Sequence, residues 1–211
     1  MSDAAQPNAA QSAREDIAFM RALAEEGARR PILGGSILLA TGLIWGAACF
    51  GNWLVVVNPP PQGANVWLTG IDVGGLAAQF LAIAVLVASL RRDRRGPLDR
   101  TNLVFARVWN AVGFAIMACL ASFFLSAWLA HRPEVFFGYP TAILALYGVG
   151  WVVTASTSNA RWTWGVALLS FVFAIAAGAF VGNVNLTLLF AVAIILLLAV
   201  PGAILIRQAR P

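Results

Sequence analysis

The chain has 211 residues, of which 60% are apolar and 11% charged, with a mean hydropathy of +0.80 and a formal charge of +5. Soluble domains carry about 45–50% apolar and about 25% charged residues, so the composition excludes an ordinary soluble domain; its long uncharged runs are those of a polytopic membrane protein. All 14 basic residues are arginine, which excludes lysine Schiff-base chemistry and a P-loop lysine, and the single histidine, His131, excludes a bis-histidine haem or a His-rich metal site within one chain.

Residues 1–13 (MSDAAQPNAAQSA) are small and polar and read as a disordered cytoplasmic tail. They do not resemble a secretory signal peptide, because the first apolar run begins only near Pro31. Residues 14–27 have helical periodicity. Ile17, Phe19, Met20, Leu23 and Ala24 share one face, Arg14, Arg21, Glu25 and Glu26 share the other, and Gly27 is a terminator. Arg14, Arg21, Arg29 and Arg30 balance Glu15, Asp16, Glu25 and Glu26, whereas a helix made for anionic lipid carries excess basic charge. The apolar face is therefore expected to pack on the bundle of its own chain, with a partner protein as the second reading.

Six spans are predicted over residues 32–207, at about 32–57, 67–90, 103–129, 139–157, 162–182 and 184–206. The expected fold is all-α, a single six-helix membrane bundle preceded by a short amphipathic helix. Small residues recur at four-residue spacing as Gly42 with Gly46, Gly70 with Gly74, and Ala174 with Gly178 and Gly182, a spacing that lets helix backbones approach closely in lipid. Cys49 and Cys119 lie inside apolar runs and read as small hydrophobes. The stiff loop Asn58-Pro59-Pro60-Pro61-Gln62-Gly63 is uncharged.

Asp72 is the only acid inside a predicted span, and an ionisable residue in a membrane is a functional candidate by default. Gln79 lies two turns deeper near the same face, and Tyr147 falls at similar depth on span four, so Asp72, Gln79 and Tyr147 form a candidate ligand or ion path; interhelical hydrogen bonding is the plainer account. The loop after span two carries Arg91, Arg92, Arg94, Arg95 and Arg100 with Asp93 and Asp99. Topology explains it, and lipid headgroups or an acidic partner are the functional alternative. Arg107 and Asn110 stand near the start of span three. His131-Arg132-Pro133-Glu134 follows its end. The turn at Gly182-Asn183-Val184-Asn185 makes spans five and six an antiparallel hairpin, and Pro201 is expected to kink the exit of span six.

With a cytoplasmic N-terminus, every arginine except Arg132 falls on the inside, as the positive-inside rule requires, and both termini are cytoplasmic. Trp53, Trp67 and Trp128 then mark the outer interface, and Trp109, Trp162 and Trp164 the inner one. The arginine-only basic set and alanine richness point by association to a bacterial inner membrane. Ala106-Arg107 with Trp109 is echoed by Ala160-Arg161-Trp162 with Trp164, which allows three hairpins in parallel orientation, though interface rules alone place Arg and Trp there.

The sequence carries no HExxH, paired carboxylates, Ser-His-Asp set or phosphate loop. No enzyme activity, cofactor, metal or nucleic-acid partner is expected; the arginines sit beside spans. The favoured function is a non-enzymatic accessory subunit or sensory or regulatory protein that works by helix packing, in contact with membrane lipids and with a membrane-protein partner or a second copy. The alternative is a small transporter or channel using the Asp72, Gln79 and Tyr147 path.

Overall fold

The computed structural model describes residues 13–20, 34–58, 100–158 and 160–208, with the isolated helical positions 84 and 88. Among these residues the secondary structure is helical, with no strand. The second predicted span, apart from positions 84 and 88, lies outside the described residues, as do Gly70, Asp72, Gly74, Gln79, the arginines at 91, 92, 94 and 95, and Leu23. Residues 13–20 are helical, and their side chains, including Ile17, Phe19 and Met20, are exposed.

The long apolar runs make long helices because every backbone polar group in a hydrocarbon medium must be satisfied within the segment. Helix α1 is Gly35–Val57 and α2 is Arg100–Ala130. A 3₁₀ turn, Pro133–Gly138, leads into α3, Tyr139–Thr157, and α4 is Trp162–Ala179. The chain ends in one continuous rod made of α5 (Asn185–Ile194), a π turn (Ile195–Ala199) and α6 (Val200–Gln208). Among the described residues, five helices are long and apolar enough to cross a membrane: α1, α2, α3 with its 3₁₀ lead, α4 and the final rod.

Termination follows local chemistry. Gly34 opens α1 with φ of +107°, and the turn between α4 and α5 places Gly182 at φ of +81°, both left-handed conformations that glycine adopts without the Cβ penalty. In that turn the Asn183 amide N–H donates to Phe180 O at 2.9 Å, and the Asn185 N–H donates to the Asn183 side-chain oxygen at 2.9 Å. Span five thus ends at Ala179, three residues before the predicted Gly182, because the left-handed glycine belongs to the turn.

The final rod is the centre of the bundle. Of its most apolar window, 56% is buried, against 6% for α2. Helix α1 runs antiparallel along its whole length, α4 packs near the turn, α3 pairs most extensively with α4, and α2 packs on the outer side of α3. One end of the bundle gathers the starts of α1, α2 and α4 and the ends of α3 and α6, and with them Arg107, Arg161 and Arg207, all exposed. His131, Arg132 and Glu134 stand at the other end.

Candidate functional site

The crossing of α1 with the final rod is built from small residues. On α1, Gly35, Leu38, Gly42 and Gly46 are buried on one face. Opposite them on the rod stand Ile195, Ala199 and Gly202. A Cβ at Gly35 would lie 2.8 Å from Gly202 O, and one at Gly46 would lie 2.5 Å from Ile195 Cγ1. A Cβ at Gly42 would run into the Ala199 backbone, and one at Gly202 into the Leu39 amide and the Gly35 carbonyl. The backbones therefore approach as small-residue interfaces permit in lipid, where dispersion and close packing replace the hydrophobic effect.

The π turn lies in this crossing. The Val200 N–H donates to Ile195 O, five residues back, which is the π pattern. Pro201 follows and has no N–H to give to the Leu197 carbonyl, four residues before it. The Trp151 indole Nε1–H takes that place, donating to Leu197 O at 3.1 Å from a fully buried side chain on α3.

Trp151 is the hub of an aromatic layer. Trp109 meets it edge-on with centroids 5.1 Å apart, and Trp162 lies at 6.1 Å. Trp109 also touches Phe105 at 5.8 Å and Tyr147 at 6.1 Å. Offset and edge geometries of this kind are the favoured ones for aromatic pairs. Gly148 and Gly150 make room on α3: a Cβ at Gly148 would lie 2.7 Å from the Phe171 ring, and one at Gly150 would lie 3.1 Å from Val112 Cγ2.

Most of the buried hydroxyls in the bundle are satisfied locally. Thr154 Oγ1 donates to Gly150 O at 2.8 Å, Ser170 Oγ to Val166 O at 2.8 Å, and Thr163 Oγ1 to Ala160 O at 2.6 Å. This back-bonding to the preceding turn removes them as donors to a passing solute. Four buried side-chain atoms have no hydrogen-bond partner among the described residues: Trp109 Nε1, Thr141 Oγ1, Ser158 Oγ and Trp162 Nε1. Trp109, Ser158 and Trp162 belong to the arginine-bearing end, where each open donor is next to an aromatic ring or the α3–α4 turn.

Of the path residues, Tyr147 is partly buried against Trp109; Asp72 and Gln79 lie outside the described residues. Gly42 and Gly46 sit in the α1 crossing described above. Gly178 and Gly182 are both exposed, and a Cβ on either would meet no described atom within 4 Å, so neither sits in a close crossing among the described residues. Only Ala174 of that series is buried. Arg107 and Asn110 are exposed on α2. Cys49 and Cys119 are free and partly buried. His131 has φ of +52° and, with Arg132, Glu134 and Val135, lines a shallow open depression of about 560 Å³. No cluster of three metal-ligating side chains occurs among the described residues.

Sequence reading missed Gly35, Gly202 and Trp151. Gly35 is seven residues from Gly42, two turns along the same face, and that longer spacing was the available signal. Trp151 shares its carbonyl acceptor with no motif; the proline four residues beyond Leu197 was the only hint. Comparison of the chain with protein families, with curated proteins and with solved structures finds no match.

Proposed function

We propose that this chain is a non-enzymatic, multi-pass membrane subunit that acts through protein contacts, as an accessory or regulatory component. The observation that carries the reading is the way the core is closed. Small residues join α1 to the rod, Trp151 caps the carbonyl that Pro201 leaves open, Thr154 and Ser170 bond within their own helices, and Thr163 bonds to Ala160 O in the turn before α4. These hydroxyls and the Trp151 indole are spent on the fold, and much of the exposed helix surface is apolar, including Phe114, Leu168 and Ile175 on the helices and Ile17, Phe19 and Met20 on residues 13–20.

The arrangement proposed for the membrane puts the arginine-bearing end in the cytoplasm of a bacterial inner membrane, with both termini there and the Arg132 end outside. Its support is the arginine distribution and the positive-inside rule. Membrane lipids cover the exposed helix faces, and the amphipathic face of residues 14–27 meets a membrane-protein partner or a second copy. Affinity purification in mild detergent tests this: a partner or second copy should co-purify and be lost when residues 1–27 are deleted. Recovery of monomer alone, with no phenotype from that deletion, would contradict the reading.

A second reading, a small transporter or channel, draws on one observation. Tyr147 packs against Trp109, whose buried indole N–H is open. If Asp72, Gln79 and Tyr147 line a path, Asp72→Asn abolishes flux or ligand binding; unaltered flux removes its main support.

A further inference from the structure

We propose that the π turn at Ile195–Ala199 is a register switch in the final rod, held in its π form by the hydrogen bond from Trp151. A π turn carries one residue more than the α-helical turn it replaces, and such turns recur at functional positions. Relaxing it to α geometry rotates α6 about its axis by roughly the angle of one residue, about 100°.

Three observations set the balance between the two forms. First, Pro201 cannot donate to Leu197 O, so the α form gains no hydrogen bond at the position where it would ordinarily gain one. Second, the fully buried Trp151 indole occupies that carbonyl at 3.1 Å, a bond that the rotation would break. Third, the rod meets α1 through backbone at Gly35, Gly42 and Gly202, while Gly46 takes the Ile195 side chain.

Turning α6 by one residue carries Gly202 off Gly35 and brings a neighbour, Pro201 or Ala203, toward Leu39. No Cβ fits there while α1 stays in place, since even one on Gly202 would run into the Leu39 amide. The register change is therefore coupled to lifting the start of α1 away from α6. The switch converts a change at the aromatic layer, on α2, α3 and α4, into a change of α1 position at the arginine-bearing end. It does not depend on which partner the chain serves.

The test uses the full chain in lipid nanodiscs with Cys49→Ala and Cys119→Ala, and spin labels on Ser36→Cys and Gln208→Cys, both exposed in α1 and α6. The otherwise unchanged protein should give one short distance. Trp151→Phe removes the donor and should shift the ratio of the long to the short population about five-fold, the effect of one buried hydrogen bond. Pro201→Ala restores an N–H for Leu197 O and should raise the same long population; it serves if Trp151→Phe does not fold. Trp164→Phe, an exposed tryptophan on α4, should leave the distance alone. An unchanged single distance in every variant that folds overturns the proposal, as does an equal shift with Trp164→Phe.

Discussion

Trp151 shows how a single side chain can be fixed by a residue fifty positions away. Its indole is a large amphipathic group that needs one acceptor when buried, and Pro201 leaves an acceptor open at Leu197. Trp151→Phe removes the donor and leaves part of the indole's buried space empty, so it should destabilise the fold by more than the about 1 kcal/mol of a hydrogen bond between membrane helices. Unfolding in graded denaturing detergent checks this. Glycines divide by what they face. Gly42→Leu drives a side chain into the Ala199 backbone and should cost about 1–3 kcal/mol, as overpacking does. Gly178→Ala, at an exposed position with open space, should be neutral or stabilise by up to about 1 kcal/mol through helix propensity. Both carry the same four-residue signature in sequence, so the spacing alone could not separate them. What separates them is the opposing helix: Gly42 meets the backbone of the rod, and Gly178 turns outward.

At the level of elements, hydropathy located the described helices well because lipid leaves few alternatives for an apolar run. Helix α3 occupies Tyr139–Thr157, the range predicted for span four, since a 3₁₀ turn before it and an extended Ser158 after it end the pattern sharply. Helix α2, at 31 residues, starts at Arg100 and is about 45 Å long at 1.5 Å per residue, longer than its apolar run because the polar residues at its start remain helical. The π turn was not legible. Its residues, Ile-Leu-Leu-Leu-Ala, are ordinary helix formers, and the cause lies in Pro201 beyond it and in Trp151 across the bundle. The sequence reading expected a kink at Pro201, whereas the irregularity sits in the turn before it. The α4–α5 turn offers a clean element-scale check: Gly182→Val places a β-branched residue at φ of +81° and should cost about 1–2 kcal/mol with no loss of contacts. The same unfolding assay, with an unchanged helical spectrum at low denaturant, isolates that strain.

For the molecule as a whole, the arithmetic of charge and hydropathy carried further than any motif. Arg100, Arg107, Arg161 and Arg207 gather at one end of the bundle, in or beside the starts of α2 and α4 and the end of α6, with Arg132 at the other end; the apolar faces of α2 and α4 are exposed, Phe114 and Ile175 by about three-quarters. Of the candidate path, Asp72 and Gln79 fall outside the described residues, and Tyr147 packs its ring against Trp109. The account predicts that function resides in association. Its most direct test is the mass of the protein released from its native membrane in nanodiscs, compared with a variant carrying Ile17→Glu and Met20→Glu. The account predicts an assembly of defined stoichiometry that falls to a folded monomer in the variant. A monomer in both would contradict it.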